Sequence, residues 1–136
     1  MKLEFLDDIT GNGKYPRADP DKLIRLYDFD QSEVNRLIEI IQMRIVEKSE
    51  SVELSKIDFI QPLNCKLRFD LASTDNGIDP APDHNFVGRF TVEGYQTMIG
   101  YMSAFIGKEN GLAGYNWLYD PSIHKTDLLF SPGGTW

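Results

Sequence analysis

Two different spacings of apolar residues recur along this chain, and they constrain its fold more than any other feature. Between Cys65 and Leu71, apolar side chains fall on every second residue and charged side chains fall between them. That period is typical of a β-strand with one buried face and one wet face. Between Val34 and Ile45, apolar residues recur at helical spacing, and Asp30 and Glu33 are placed to form a capping box before them. The chain therefore contains both strands and helices.

The same test along the whole chain predicts the order β-β-α-β-β-β-α-β-β. Pro62 interrupts one strand, which predicts a bulge, a turn or an edge position there. We expect an α+β fold in two layers, with two amphipathic helices packed on one face of a mostly antiparallel sheet. The predicted helices span 31–47 and 93–106. The predicted strands span 2–6, 23–29, 57–71 (interrupted at Pro62 and counted as two), 86–92, 115–119 and 126–131.

Length and cysteine content place the chain in a broad class. Its 136 residues predict a single α+β domain, residues 1–136, which can bury roughly two-thirds of its unfolded surface without a metal or a cross-link. Cys65 is the one cysteine, so an intrachain disulfide is excluded and a reducing compartment is favoured. The sequence shows neither a signal-peptide pattern nor an apolar run of membrane length, and we therefore expect a cytoplasmic protein.

The charge of the chain restricts its partners. A formal net charge of −7 disfavours nucleic acids and anionic membranes, because both are polyanions. The same charge is compatible with a basic protein partner, a cationic ligand or a hard cation. Solubility alone would also explain it.

Several motifs suggest ligand sites but lack the required spacing. The run Gly11-Asn12-Gly13-Lys14 is not a phosphate-binding loop, because Asp8 and Tyr15 stand where that motif needs Gly and Ser or Thr. A glycine turn explains the run. The acidic residues Asp75, Asp79 and Asp83 share one loop, and carboxylates suit calcium, but their spacing does not match an EF-hand. A solvated acidic loop is the simpler interpretation, and we expect no metal and no cofactor.

Candidates for catalysis are few. His84 and His124 fall in different loops and not at metal-ligand spacing. Cys65 is in phase with the apolar face of its strand, which favours a packed thiol over a nucleophile. Ser122 and Lys125 match an S-x-x-K pattern, but the companion motifs of that enzyme class are missing. The weak catalytic candidates are His84, His124 and Asp127.

The aromatic residues near the end of the chain can be interpreted in two ways. Tyr115, Trp117 and Tyr119 alternate along one strand, and Trp136 follows in the tail. If their common face points to the helices, the rings belong to the core, and this is the preferred interpretation because large aromatic side chains dominate buried area. If that face points outward, the rings form a patch beside the acidic loop, and such patches mark interaction surfaces.

Two kinds of function follow from these features. The first is a non-catalytic protein-interaction or binding protein that neutralises a basic partner, with binding residues Tyr115, Trp117, Tyr119, Trp136, Asp75, Asp79 and Asp83. Its size, charge and α+β character resemble those of bacterial immunity proteins, which is an analogy of class only. The alternative is a small enzyme or ligand-binding domain with a cleft between loops 72–85 and 120–127, where a histidine could transfer protons.

Overall fold

The computed structural model describes residues 1–9, 12, 14, 22–107, 112–120 and 125–136. The predicted glycine turn at Gly11 and Gly13 and the candidates Ser122 and His124 lie outside these residues. The strands are β1 (Lys2–Leu6), β2 (Leu23–Tyr27), β3 (Val52–Glu53), β4 (Gln61–Pro62), β5 (Lys66–Leu71), β6 (Gly77–Ile78), β7 (Asn85–Phe90), β8 (Asn116–Tyr119) and β9 (Asp127–Ser131). The helices are α1 (Gln31–Ile40), which continues as a π-helical segment (Ile41–Glu47), and α2 (Val92–Ser103), with a 3-10 turn at Leu54–Lys56.

The strands form two sheets. The first has the order β4-β1-β2-β9-β8 and the second has the order β3-β5-β7-β6. The α+β class is confirmed, but the prediction of one sheet in a two-layer arrangement is wrong. The pairs β1–β4, β2–β9 and β5–β7 are parallel, and the other pairs in the described part of the chain are antiparallel. Pro62 lies at the edge of the first sheet, which is one of the positions that a strand proline tolerates.

One cluster of buried apolar side chains draws on both sheets and both helices. Phe5 of the first sheet contacts Phe86 of the second, with ring centroids 4.7 Å apart. The helices therefore pack on a core shared by two sheets, and they do not cover one face of a single sheet. The helical contribution comes from Val34, Leu37, Ile41, Ile45, Tyr95, Met98 and Met102. Within the described ranges, no helix is both long enough and apolar enough to cross a bilayer.

Local signals define where both helices begin. At α1, the Glu33 amide donates to the Asp30 carboxylate at 2.8 Å, and the Asp30 amide donates to the Glu33 carboxylate at 3.0 Å, which completes the predicted capping box. At α2, the Thr91 hydroxyl accepts from the Gly94 amide. Asp75 adds a second anchor, because its carboxylate accepts from the Thr91 amide at 2.7 Å and from the Thr91 hydroxyl at 3.0 Å. This places a negative charge at the N-terminus of α2, where the helix dipole favours it.

Candidate interaction surface

A β-bulge separates the aromatic residues that the sequence places on one strand face. In the β8–β9 ladder, Trp117 is opposite Leu129, and Tyr119 is opposite Leu128, which leaves Leu118 as the extra residue. The bulge directs Leu118 and Tyr119 towards the core, and Tyr119 packs edge-on against Phe90. Strict alternation would have kept Tyr119 with Trp117, so the expectation of one shared aromatic face is wrong.

Three rings remain outside the core and form what we call the ring cluster: Tyr115, Trp117 and Trp136. Trp117 is central, with ring centroids 6.2 Å from Tyr115 and 6.1 Å from Trp136. Tyr115 is 46% exposed and Trp136 is 44% exposed, while Trp117 is partly buried. The preferred interpretation of the strand rings as core residues is therefore wrong for Tyr115 and Trp117 and correct for Tyr119. The alternative of a surface patch describes the positions of Tyr115, Trp117 and Trp136.

The ring cluster lies on the outward face of the first sheet. A row of paired residues crosses four strands, from Glu4 through Arg25 and Leu129 to Trp117. Leu128 and Phe130 belong to the core cluster, so Leu129 between them points to the opposite face. Leu129 is nevertheless fully buried, which shows that the outward face is itself covered by side chains.

The C-terminal tail folds back over this outward face. Arg25 donates from Nη1 to the Gly134 carbonyl at 2.7 Å, and its guanidinium lies 4.3 Å from the centre of the Tyr27 ring. The Ser131 hydroxyl donates to the Thr135 carbonyl at 2.8 Å. These contacts hold the tail so that Trp136 reaches Trp117. Arg25 was not among the predicted site residues, although it alternates with the outward-facing Tyr27 along a predicted strand.

The carboxylates of the acidic loop make contacts with different parts of the fold and do not form one exposed cluster. Asp75 caps α2, and Asp79 forms an ion pair with Lys125. Asp83 accepts hydrogen bonds from the Asn85 amide at 3.1 Å and from Asn85 Nδ2 at 3.0 Å, and these bonds hold the pKa of its carboxyl below the usual value. No group of three or more His, Cys, Asp or Glu residues suited to a metal ion occurs among the described residues.

The two loops of the alternative site contact each other directly. The Thr126 amide donates to the Ile78 carbonyl at 2.8 Å, and the Asp79–Lys125 ion pair lies beside this bond in the chain. A cavity of about 250 Å³ beside this contact is lined by residues of the acidic loop and Thr126 and also by residues near β1 and β2, among them Phe5, Lys22, Pro80 and His84. Asp127 is only 8% exposed at the start of β9.

His84 stands between that cavity and a second one of about 290 Å³, which Asn64 and Cys65 also line. Its backbone has a φ of 59°, and its Nδ1 lies 3.2 Å from the Asn64 carbonyl oxygen. Cys65 is 6% exposed, and burial raises the pKa of its thiol to about 12. A thiol with that pKa stays protonated near neutral pH, as expected for a side chain packed in the core.

Asn64 is a structural residue that the sequence analysis missed. Its side-chain oxygen accepts from the Phe5 amide, and its Nδ2 donates to the Phe5 carbonyl, both at 2.8 Å. The amide side chain thus replaces a backbone partner beside β1, and a single residue in a loop gives no periodic signal that would reveal this.

We compared the chain with known protein families, with curated proteins and with solved structures. None of the three comparisons found a match. The function of the protein is therefore inferred from its residues and their geometry alone.

Proposed function

We propose that this protein is a non-catalytic interaction domain that binds a basic partner protein through the ring cluster. The observation that carries this proposal is the exposure of Tyr115 and Trp136 beside Trp117 on the outward face of the first sheet. Tyr and Trp are the residue types that most often dominate the binding free energy of protein interfaces. An exposed group of such rings also marks interaction surfaces in soluble domains.

Charge supports a basic partner. The chain has 21 Asp and Glu residues against 14 Lys and Arg residues. Basic side chains are moreover engaged in ion pairs with the protein's own carboxylates, namely Lys2, Lys22, Arg25, Arg36, Arg44, Arg68 and Lys125. The excess charge is thus negative, and it accelerates encounter with a positively charged protein in a salt-dependent way.

The analogy with immunity proteins gives this proposal a concrete form. An acidic domain that covers a basic toxin enzyme needs a rigid surface with aromatic anchors, and it needs no chemistry of its own. In this protein the anchors are Trp117 on β8, Tyr115 immediately before β8, and Trp136 on the tail. The tail is held by hydrogen bonds to Arg25 and within its own turn. A surface held in this way loses little conformational entropy on binding.

The test compares variants in capture and in solution. Immobilised wild-type protein and the variants Tyr115→Ala and Trp136→Ala are exposed to extract from the source cells, and captured proteins are purified for calorimetry. We expect a basic partner whose affinity falls by about tenfold or more in either variant, which corresponds to about 1.4 kcal/mol. Met43→Ala is the control, because Met43 is a similarly exposed apolar residue, 51%, on the π-helical segment and does not belong to the ring cluster.

Two outcomes would contradict the proposal. One is a partner that binds the ring variants as tightly as it binds the wild type. The other is an affinity that does not change between low and high salt.

His84 supports the second candidate function, a small enzyme or ligand-binding domain, because it lines both cavities. Their volumes, about 290 and 250 Å³, lie at or below the lower end of ordinary ligand pockets, about 300 Å³. A small molecule that raises the melting temperature of the wild type and not that of His84→Ala would favour this candidate. A set of ligands without such a difference would count against it.

A further inference from the structure

We infer that the ring cluster is a cation-binding site that receives a guanidinium or ammonium group of the partner. This inference rests on the proposed function, because it names the chemical group that the same surface recognises. It is carried by the arrangement of the three rings and by the charge of the protein.

The rings of the cluster meet at steep angles. The plane of Trp117 makes an angle of 75° with Tyr115 and an angle of 62° with Trp136. In an edge-on contact the rim of one ring lies against a single face of the other ring, so each contact leaves other ring faces uncovered. A cation within about 6 Å of a ring centre is attracted by the ring quadrupole, most strongly for Trp.

The same face of the sheet already binds cations in this way. Arg25 and Lys2 both approach the Tyr27 ring, at 4.3 Å and 5.9 Å from its centre. Arg25 is paired with Leu129, which is paired in turn with Trp117, so the Arg25–Tyr27 contact and the ring cluster belong to one face. Ring faces on this surface are therefore suited to positive side chains.

The charge of the chain also distinguishes between occupants. A second copy of this protein would bring another net charge of −7 to the surface, and the two copies would repel each other. A basic partner is attracted from a distance and then offers Lys and Arg side chains to the rings. We therefore assign the surface to a basic protein partner and not to self-association.

The experiment uses the protein's own fluorescence. The chain contains 2 Trp residues, and both belong to the ring cluster, so selective tryptophan excitation reports on this site alone. The probe is a tetra-arginine peptide, and its control is the tetra-citrulline peptide, which has nearly the same shape without the charge. We expect a saturable change in fluorescence with tetra-arginine, and at least tenfold weaker binding of tetra-citrulline.

Variants separate ring recognition from general attraction to an acidic protein. Tyr115→Ala retains both fluorophores, and we expect it to bind tetra-arginine about fivefold more weakly. Tyr115→Phe retains the ring and should bind like the wild type, and so should Met43→Ala. Equal affinities of the wild type and Tyr115→Ala would show nonspecific electrostatic attraction and would overturn the cation site.

The two proposals fail in different ways. A partner whose capture requires Tyr115 and Trp136, together with a fluorescence that tetra-arginine does not change, would overturn the cation site and leave the proposed function standing. Saturable binding of tetra-arginine that requires the Tyr115 ring supports the site, and it does so even if no basic partner is captured, which would overturn the proposed function instead.

Discussion

The phenol ring of Tyr119 occupies the space that any side chain on Gly77 would need. A β-carbon built on Gly77 would lie 1.9 Å from the Tyr119 hydroxyl oxygen, and Gly77 also has a left-handed φ of 76°. This contact joins the acidic loop to β8 immediately after the bulge. Burial of Tyr119 there raises the pKa of its hydroxyl.

Replacing Gly77 should test that contact. We expect Gly77→Ala to lower the free energy of unfolding by about 2–5 kcal/mol, since left-handed strain of about 1–2 kcal/mol adds to overpacking of about 1–3 kcal/mol. Gly107→Ala is the matched control, because Gly107 has a similar φ of 75° with nothing within 4 Å of the added carbon. Urea denaturation measures both. Equal losses in the two variants would show that the Tyr119 ring does not restrict Gly77.

Two glycines of α2 should respond to alanine with opposite signs. Gly100→Ala should stabilise the protein by about 0.5–1 kcal/mol, because open space surrounds Gly100 and Ala has the higher helix propensity. At Gly94, an added carbon would lie 2.5 Å from Asp75 Oδ1 and would displace the carboxylate that caps the helix. We expect Gly94→Ala to destabilise the protein by about 1 kcal/mol, measured by denaturant unfolding. In an Asp75→Ala background that penalty should shrink to the part caused by the Phe90 β-carbon, 3.1 Å from the added carbon, and an unchanged penalty would exclude this explanation.

Cys65 should be protected in the folded protein. Burial raises the pKa of its thiol from 9.0 to about 12, and the shift lowers the thiolate fraction near pH 8 by about a thousandfold. We expect a chromogenic disulfide reagent to react with Cys65 far more slowly than with free cysteine, and at the free rate in denaturant. Rapid labelling of the native protein would contradict the buried position.

The raised pKa of Cys65 also predicts how the free energy of unfolding changes at alkaline pH. The folded pKa of Cys65 lies above the unfolded value, so its contribution to stability is fully present below the unfolded pKa and is lost as the pH rises towards about 12. Unfolding free energies measured from neutral to alkaline pH should therefore fall less steeply for Cys65→Ala than for the wild type. Parallel curves would show that Cys65 does not contribute to alkaline unfolding.

The lowered pKa of Asp83 predicts a loss of unfolding free energy at acidic pH. Hydrogen bonds from Asn85 hold the folded pKa of Asp83 below the unfolded value. Its contribution is therefore present above the unfolded pKa, about pH 4, and is lost as the pH falls through the folded pKa. Asp83→Asn should make the unfolding free energy fall less steeply below about pH 4, as followed by circular dichroism during denaturation. An unchanged acid slope would contradict the role of the Asn85 hydrogen bonds.

Elements fixed by near neighbours in the chain could be predicted well. The capping box at Asp30 and Glu33 needs only four consecutive residues, and the structure has it. The alternation from Leu67 to Phe69 correctly gave the buried face of β5. The expectation of a mostly antiparallel sheet is only partly met at β5, which is antiparallel to β3 and parallel to β7. Alternation reports which face is buried, and it contains no information about the partner strand.

At the candidate site, too, the sequence predicted features that depend on near neighbours and missed those that depend on distant residues. The sequence grouped Tyr115, Trp117, Tyr119 and Trp136, and the structure brings three of these rings together, all except Tyr119. It could not separate Tyr119 from them, because one extra residue opposite Leu128 reverses the face of everything beyond it. It also could not assign individual partners to Asp75 and Asp79, since Thr91 and Lys125 are distant in the chain.

The amino-acid sequence was enough to predict the alternation of buried and wet positions, the start of α1 and the acidic character of the chain, because each depends on residues within a few positions or on composition. Three other features became known only from the folded chain: its two sheets, the burial of Leu129 on the outward face, and the contact between Trp117 and Trp136 there. These features depend on which strands pair across long stretches of chain. Strand pairing depends on how the whole core packs, and the hydrophobic period of one segment shows only which of its faces is buried.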